Sequence, residues 1–128
     1  MLNSVPMCAN PELLGATLRE KFGFVGHVVS DCSAVENIYN FQRDVVDAPS
    51  MEAAAAMALN AGCDMNCGPA FQSLNESLAQ KLISEQTLDL SLGRILLGRL
   101  ELGEFDPPAA NPCAVIRTAC GRRLDPAS

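Results

Sequence analysis

The apolar positions near the start of the chain have the spacing of a helix. Leu14, Leu18 and Phe22 stand four residues apart and would form one apolar stripe. Asn10 is a favourable capping residue, and a proline follows it in the first helical position. The glycine after Phe22 accepts the left-handed conformation in which many helices end. The pattern therefore predicts a helix between Asn10 and Phe22.

A brief β-branched run follows and predicts a buried strand. The run is Val28–Val29, and Ser33 and Glu36 come next at the spacing of a capping box, which predicts a helix from about Ser33 to Asn40. Asp31 would then lie at the carboxyl end of a strand and beside a helix N-terminus. Ligand-binding and catalytic groups gather at that end of the strands in α/β folds. From this pattern alone, a nucleophile and a simple helix cap fit Asp31 equally well.

The rest of the chain continues the alternation of helix and strand. The segment 41–49 has mixed charge and ends in a proline, which indicates a loop. The alanine-rich run Met51–Ala61 predicts a closely packed helix, and Cys63–Gly68 is interpreted as a second short strand. Two later helices are predicted over residues 71–82 and 84–103. Their apolar positions are Leu74, Leu78, Leu82, Leu88, Leu92, Ile95, Leu96 and Leu100. This order of elements indicates an α/β fold with a parallel sheet.

Composition and charge exclude several classes of protein. The chain has 128 residues, of which 48% are hydrophobic and 19% charged, which is typical of a folded domain with a core. The net charge of −6 argues against a nucleic-acid-binding surface. No apolar stretch approaches the roughly 18 residues that indicate a membrane span.

The six cysteines are too few for a disulfide scaffold and do not form a recognisable metal site. Cys63 and Cys67 have a spacing found in some metal sites, but the chain has one histidine, His27, and no second close cysteine pair. The sequence also lacks the Cys-x-x-Cys pair of a thiol redox protein. Neither a metal nor a cofactor is therefore predicted.

Five blocks of sequence, in order along about residues 3–108, resemble family 3 glycoside hydrolases and the β-xylosidase branch in particular. The blocks are Val5–Leu14, Gly23–Phe24, Val28–Cys32, Asn60–Gly68 and Leu102–Pro108. The family fold is an eight-stranded β/α barrel followed by an α/β sandwich domain. The resemblance implies that residues 1–108 are the C-terminal part of that barrel, about its last two to three βα units, with the predicted strands as the seventh and eighth. Residues 109–128 match nothing in the family and form an unassigned, irregular tail, for which a shifted reading frame is one hypothesis.

The resemblance also assigns roles to three residues. The family's nucleophile lies in a Ser-Asp-Trp or Ser-Asp-Cys motif, which here falls on Asp31. The next position, Cys32, lines the innermost sugar subsite. In the xylosidase branch the cysteine of an Asn-Cys-Gly motif, here Cys67, can form a disulfide with it. The implied reaction is retaining hydrolysis of β-xylosides or β-glucosides from the non-reducing end, with a carbohydrate as substrate and without cofactor or metal.

The chain also departs from the family pattern. Leu2-Asn3-Ser4 stands where the family has Ser-Tyr-Asn, and the general acid/base belongs to a sandwich domain that this chain does not contain. We therefore expect the isolated chain to need the missing barrel half and the sandwich domain for activity. The resemblance suggests a secreted or periplasmic protein. The competing hypothesis is a small helical interaction domain in which Asp31 is only a helix cap.

Overall fold

A computed structural model describes residues 1–107 and 110, apart from the side chains of residues 43–45. The chain divides into two units, Met1–Ile95 and Leu96–Ser128, which are described separately. The first unit contains Asp31 and the residues around it. The tail predicted over residues 109–128 lies outside the described residues, apart from residue 110.

The described part of the chain is rich in helix. It contains four α-helices, one π-helix and two short 3₁₀ turns. The α-helices are α1 (Ala34–Val46), α2 (Met51–Ala61), α3 (Leu74–Ala79) and α4 (Glu85–Glu101). The π-helix is Glu12–Lys21, and the 3₁₀ turns are Met7–Ala9 and Ala70–Ser73.

Helix α2 forms the centre of the core of the first unit, and the sequence predicted its bounds. Ser50 Oγ accepts a hydrogen bond from Ala53 N at 3.2 Å, and Gly62 ends the helix with a φ of 104°. The small side chains of the helix allow its neighbours to approach closely. The core cluster around it includes Ala54, Ala58, Ala61, Val35, Ile38 and Leu14.

The first predicted helix is present as the π-helix Glu12–Lys21. Asn10 Oδ1 accepts a hydrogen bond from Leu13 N at 3.1 Å, which confirms the predicted cap. Leu14 is buried, but Phe22 is 69% exposed, so the predicted apolar stripe is wrong at its end. The i→i+5 turn of a π-helix is wider than an α-turn, and residues four apart therefore drift off a common face.

Helix α1 is longer than predicted, and the loop predicted over residues 41–49 is wrong over its first six residues. The helix runs from Ala34 to Val46. Mixed charge is compatible with an exposed helical face, and no glycine or proline interrupts the segment before Pro49. Asp47, with a φ of 51°, takes the left-handed conformation directly after the last turn.

The capping box predicted for α1 is also wrong. The Ser33 backbone N–H, which Glu36 would have to bind in that motif, donates to Cys67 O at 2.8 Å. The Glu36 carboxylate instead accepts a hydrogen bond from Ala70 N at 2.8 Å. A tertiary contact has therefore replaced the local one that the spacing indicated.

The two predicted strands are reduced to a single parallel bridge between Val29 and Met65 among the described residues. Ser30 N donates to Met65 O at 2.9 Å, and Met65 N donates to Val28 O at 3.0 Å. The predicted parallel pairing is present, but it is too short for a strand. A parallel strand is normally paired on both sides, and the described residues provide one neighbour only.

The last two helices differ from the sequence pattern in length and burial. The predicted helix over residues 71–82 consists of a 3₁₀ turn and the short helix α3, which ends before Leu82. Ser84 Oγ accepts from Thr87 N at 3.1 Å, which confirms it as the cap of α4. In the first unit, Leu92 of α4 is 52% exposed. None of the described helices is long and apolar enough to cross a bilayer.

The second unit is described over its first twelve residues and residue 110. It begins with the last turns of α4, where Leu96 and Leu100 are exposed. Gly103, with a φ of 68°, follows the helix as predicted. The Arg99 guanidinium binds both carboxylate oxygens of Glu104, which lowers the pKa of that carboxyl.

Candidate active site

Asp31 lies in the short connection between the parallel bridge and α1. Val29 pairs with Met65 two residues before it, and α1 begins at Ala34, three residues after it. Ala34 N donates to Asp31 O at 3.0 Å, which closes a turn ahead of the helix. Backbone hydrogen bonds therefore hold the chain directly before and after the Asp31 side chain, which is exposed.

The Asp31 carboxylate is exposed, and its hydrogen bonding is not that of a helix cap. Its Oδ1 accepts from the adjacent Cys32 N at 2.8 Å. A capping side chain binds the N–H of the second or third residue of the helix, and Cys32 lies before the helix. The carboxylate thus lies directly before the N-terminus of α1 and is held by a backbone N–H outside the helix.

A cavity of about 410 Å³ opens beside Asp31. Its wall is mostly apolar, with a few polar groups from α1, which is the usual make-up of a small-molecule pocket. Besides Asp31, the wall includes Met7, Cys8, Val28, Val29, Asn37 and Gln42. Cys32 and Cys67 are not among the described wall residues. The predicted nucleophile therefore reaches this cavity, whereas the predicted subsite cysteine does not.

Cys32 and Cys67 are joined by a disulfide. Their Cα atoms are 4.3 Å apart, and 35 positions separate them in the sequence. The disulfide links Cys32, the residue after Asp31, to Cys67, which lies two residues after Met65 of the parallel bridge. Contact between this pair and a sugar stays a prediction.

Two cysteines in the same region are free thiols. Cys8 lies in the cavity wall, and so does the fully buried Cys63. Burial raises the pKa of the Cys8 thiol and raises that of Cys63 to about 12. Both groups are therefore protonated at neutral pH and behave as small apolar side chains rather than as nucleophiles.

Asp64 connects several elements of the first unit through its buried carboxylate. Its carboxylate is 1% exposed and accepts from Arg19 Nη2 at 2.6 Å and from Arg94 Nη1 at 2.9 Å. Val28 N also donates to it, at 2.8 Å. Asp64 thus joins the π-helix, the segment before Asp31 and α4 through one buried carboxylate.

Among the described residues, no group of three or more His, Cys, Asp or Glu side chains is arranged to hold a metal ion. The spacing of Cys63 and Cys67 resembles that of some metal sites, but the two residues make different contacts. Cys67 is bonded to Cys32, and Cys63 is a buried free thiol. Their sequence spacing therefore reflects two separate contacts.

Comparison with known proteins identifies the family. Residues 1–97 match the model described as "Glycosyl hydrolase family 3 N terminal domain", which is well over half of the chain. The chain belongs to glycosyl hydrolase family 3. The recognition made from the sequence blocks is confirmed, and the matched region includes Asp31 and both cysteines of the disulfide.

Curated relatives in this family are named as xylosidases. The chain is 43% identical over 115 residues to a probable exo-1,4-beta-xylosidase bxlB of Aspergillus terreus, and 44% identical over 115 residues to exo-1,4-beta-xylosidase bxlB of Emericella nidulans. Each match covers 87% of this chain and 15% of the relative. The chain therefore spans about 15% of the length of these curated relatives.

Solved structures of two glycosidases share the fold of the chain. A β-glucosidase from Erythrobacter marinus matches with a TM-score of 0.77 and 34% identity, covering 91% of this chain and 15% of its own. A family 3 exo-beta-xylosidase (XlnD), solved with a xylobiose aziridine probe, matches with a TM-score of 0.77 and 30% identity, covering 92% of this chain and 16% of its own. The helix-rich chain is thus similar to part of the N-terminal barrel domain of these enzymes.

Proposed function

We propose that this chain provides the nucleophile of a retaining β-glycosidase and that Asp31 is that nucleophile. The observation that carries the proposal is the position of Asp31, which follows a parallel bridge, precedes a helix and forms part of the wall of a cavity. Functional groups of α/β barrels lie at this end of the strands. In this proposal residues 1–108 are the last two to three βα units of a (β/α)8 barrel.

Asp31 suits the first step of the retaining mechanism. Its exposed carboxylate attacks the anomeric carbon, the bond to the leaving oxygen breaks, and a glycosyl-enzyme forms. The Cys32 N–H holds one oxygen, Oδ1, at 2.8 Å, so that the other oxygen is the better placed for attack. Water then releases the sugar and restores the carboxylate.

We propose that the second carboxyl group of the reaction lies outside residues 1–128. A retaining enzyme needs an acid/base about 5 to 5.5 Å from the nucleophile, to protonate the leaving oxygen and then to activate water. We propose that it belongs to a sandwich domain, as the family resemblance implies, and that the earlier barrel strands provide most sugar-binding groups. Residues 1–128 alone should therefore lack useful activity.

We propose a β-xyloside as the substrate, with a β-glucoside as the alternative. The names of the relatives in Aspergillus terreus and Emericella nidulans support a xyloside. The family resemblance supports it as well, because in the xylosidase branch a bridge between the residues matching Cys32 and Cys67 would crowd the extra hydroxymethyl group of a hexose. Disulfides persist in oxidising compartments, which is consistent with a secreted or periplasmic protein.

A chimaera tests the role of Asp31. Residues 1–97 would replace the aligned segment of exo-1,4-beta-xylosidase bxlB of Emericella nidulans, and hydrolysis of an aryl β-xyloside would be measured. We expect Asp31→Ala to lower kcat by at least about 10³-fold, because the covalent step is lost. Added azide should restore cleavage of an activated aryl xyloside, since a small nucleophile can occupy the space of the missing carboxylate.

The matched control for this test is Asp89→Ala, which removes an exposed carboxylate of α4. A 2-fluoro-xyloside should label the unsubstituted chimaera at Asp31, and peptide mass spectrometry locates the label. If Asp31→Ala retained activity equal to that of Asp89→Ala, the proposal would be wrong, and the helical interaction domain would be the better hypothesis.

A further inference from the structure

Glu36 is a buried acidic residue of α1 whose side chain leaves its own helix. It is 6% exposed, and its Oε1 accepts hydrogen bonds from Ala70 N at 2.8 Å and from Asn66 Nδ2 at 3.2 Å. Both donors belong to residues 66–70, which we call the Cys67 loop. One carboxylate oxygen therefore holds the two ends of this loop.

The middle of the Cys67 loop is shaped to fit the same carboxylate. Gly68 lies against Glu36 with a φ of 144°, and a Cβ at this position would collide with Glu36 Oε1. Only glycine combines this backbone conformation with such a close approach. The loop is thus fitted to Glu36 by backbone shape as well as by hydrogen bonds.

The Cys67 loop is bonded in turn to both residues that flank the Asp31–Cys32 pair. Ser30 Oγ donates to Asn66 Oδ1 at 2.9 Å and accepts from Cys67 N at 3.1 Å. On the other side, Ser33 N donates to Cys67 O at 2.8 Å. Glu36 is therefore connected, through the Cys67 loop, to the residues on both sides of the Asp31–Cys32 pair.

We propose that Glu36 is a positioning residue that holds the Cys67 loop, and with it the Cys32–Cys67 disulfide, in register with Asp31. The link to catalysis rests on the proposed role of Asp31 as nucleophile. Glu36 Oε2 has no hydrogen-bond partner among the described residues, so Oε1 alone makes the contacts. In this proposal the reach of the side chain, which places Oε1 against both donors, matters more than its charge.

The redox equilibrium of the Cys32–Cys67 disulfide distinguishes a positioning role of Glu36 from a contribution to stability alone. A group that only stabilises the fold affects the oxidised and reduced proteins equally and leaves the redox equilibrium of the disulfide unchanged. A group that holds the Cys67 loop keeps the two thiols close after reduction and so favours the bond. The difference between the two cases is a coupling free energy of the kind that double-mutant cycles isolate.

The experiment equilibrates the full 128-residue chain in glutathione buffers and follows the Cys32–Cys67 bond by alkylation and peptide mass spectrometry. Glu36→Ala should make the bond about tenfold easier to reduce, a coupling of about 1.4 kcal/mol. Glu36→Asp, which keeps the charge but shortens the reach, should shift the equilibrium in the same direction. Glu36→Gln, which keeps the reach without the charge, should stay within about twofold of the unsubstituted chain.

The control variant is Glu20→Ala, which removes an exposed carboxylate of the π-helix and should change nothing. If Glu36→Ala does not fold, the comparison of Glu36→Asp with Glu36→Gln decides. An unchanged equilibrium in Glu36→Asp, or equal shifts in Glu36→Asp and Glu36→Gln, would overturn the proposal, even with a lowered melting temperature. The redox experiment uses no glycoside. Its outcome is therefore independent of the hydrolysis assay on the Asp31 chimaera.

Discussion

At the scale of single residues, burial decides what the polar and sulfur groups of this chain can do. Asp31 is exposed in the wall of a cavity, where a carboxylate can act on a ligand. Asp64 is also an aspartate, but two arginines enclose its carboxylate, so that it connects structural elements instead. Cys67 forms a bond, whereas Cys63, four positions earlier, is a protonated thiol in the core.

The raised pKa of Cys63 predicts a loss of stability at alkaline pH. The thiol has a pKa of about 12 in the folded chain and an ordinary value near 9.0 when unfolded, because burial disfavours the thiolate. Between these values the folded chain holds a proton that the unfolded chain has lost. The free energy of unfolding should therefore fall as pH rises above about 9, by up to about 1.4 kcal/mol per pH unit.

Urea unfolding at several values of pH between neutrality and 10.5 checks this, with Cys63→Ala as the variant that cannot titrate. The variant has lower stability throughout but should show a flatter dependence on pH. Equal slopes in both proteins would show that another group causes the alkaline loss.

At the scale of elements, contacts distant in sequence fix how the segments around Asp31 meet. Asp64 joins the π-helix through Arg19, the segment before Asp31 through Val28 N, and α4 through Arg94. Glu36 joins α1 to the Cys67 loop. The parallel bridge is short, so these side-chain contacts add the order that a longer sheet would provide.

We expect Asp64→Asn to lower the free energy of unfolding by about 3 kcal/mol, since it leaves two arginines without their partner in a largely buried site. An asparagine keeps the shape, and the loss therefore reports charge and hydrogen bonding rather than packing. Urea unfolding provides the measurement, and Asp89→Asn on exposed α4 is the matched control. A loss no larger than that of the control would mean that the buried ion pairs contribute little net stability.

At the scale of the whole molecule, the chain has a core but leaves several apolar side chains in water. Leu14 is buried against the core, whereas Leu92 is 52% and Leu96 is 36% exposed. Phe41, at 80% exposure, is open as well. Exposed apolar groups of this kind favour association with other surfaces.

The proposed division of labour predicts that residues 1–128 alone do not hydrolyse glycosides at a useful rate. A complete β/α barrel takes about 250 residues, and general acid help alone is typically worth about 10²- to 10⁴-fold in rate. The assay compares the isolated chain with its Asp31→Ala variant on aryl β-xyloside and β-glucoside. Turnover clearly above that of the variant would contradict the prediction.

Features that depend only on neighbouring residues could be predicted from the sequence. The cap at Asn10, the helix between Ser50 and Gly62 and the cap at Ser84 were all predictable, because short-range hydrogen bonds and backbone preferences decide them. The order of the family blocks likewise identified the family, which the match over residues 1–97 confirms. The sequence also predicted that Asp31 lies between a parallel pairing and a helix, whereas its role as nucleophile stays a prediction.

Contacts between partners distant in sequence could be seen only in the folded chain. Glu36 stands at the spacing of a capping box, yet its carboxylate binds Ala70, 34 positions away. The sequence around Asp64 does not indicate that two arginines enclose it. The strand predicted over Cys63–Gly68 is present only as one bridge at Met65. Local spacing shows which contacts a side chain can make. Burial and competing partners, which exist only after folding, select the contact that it does make.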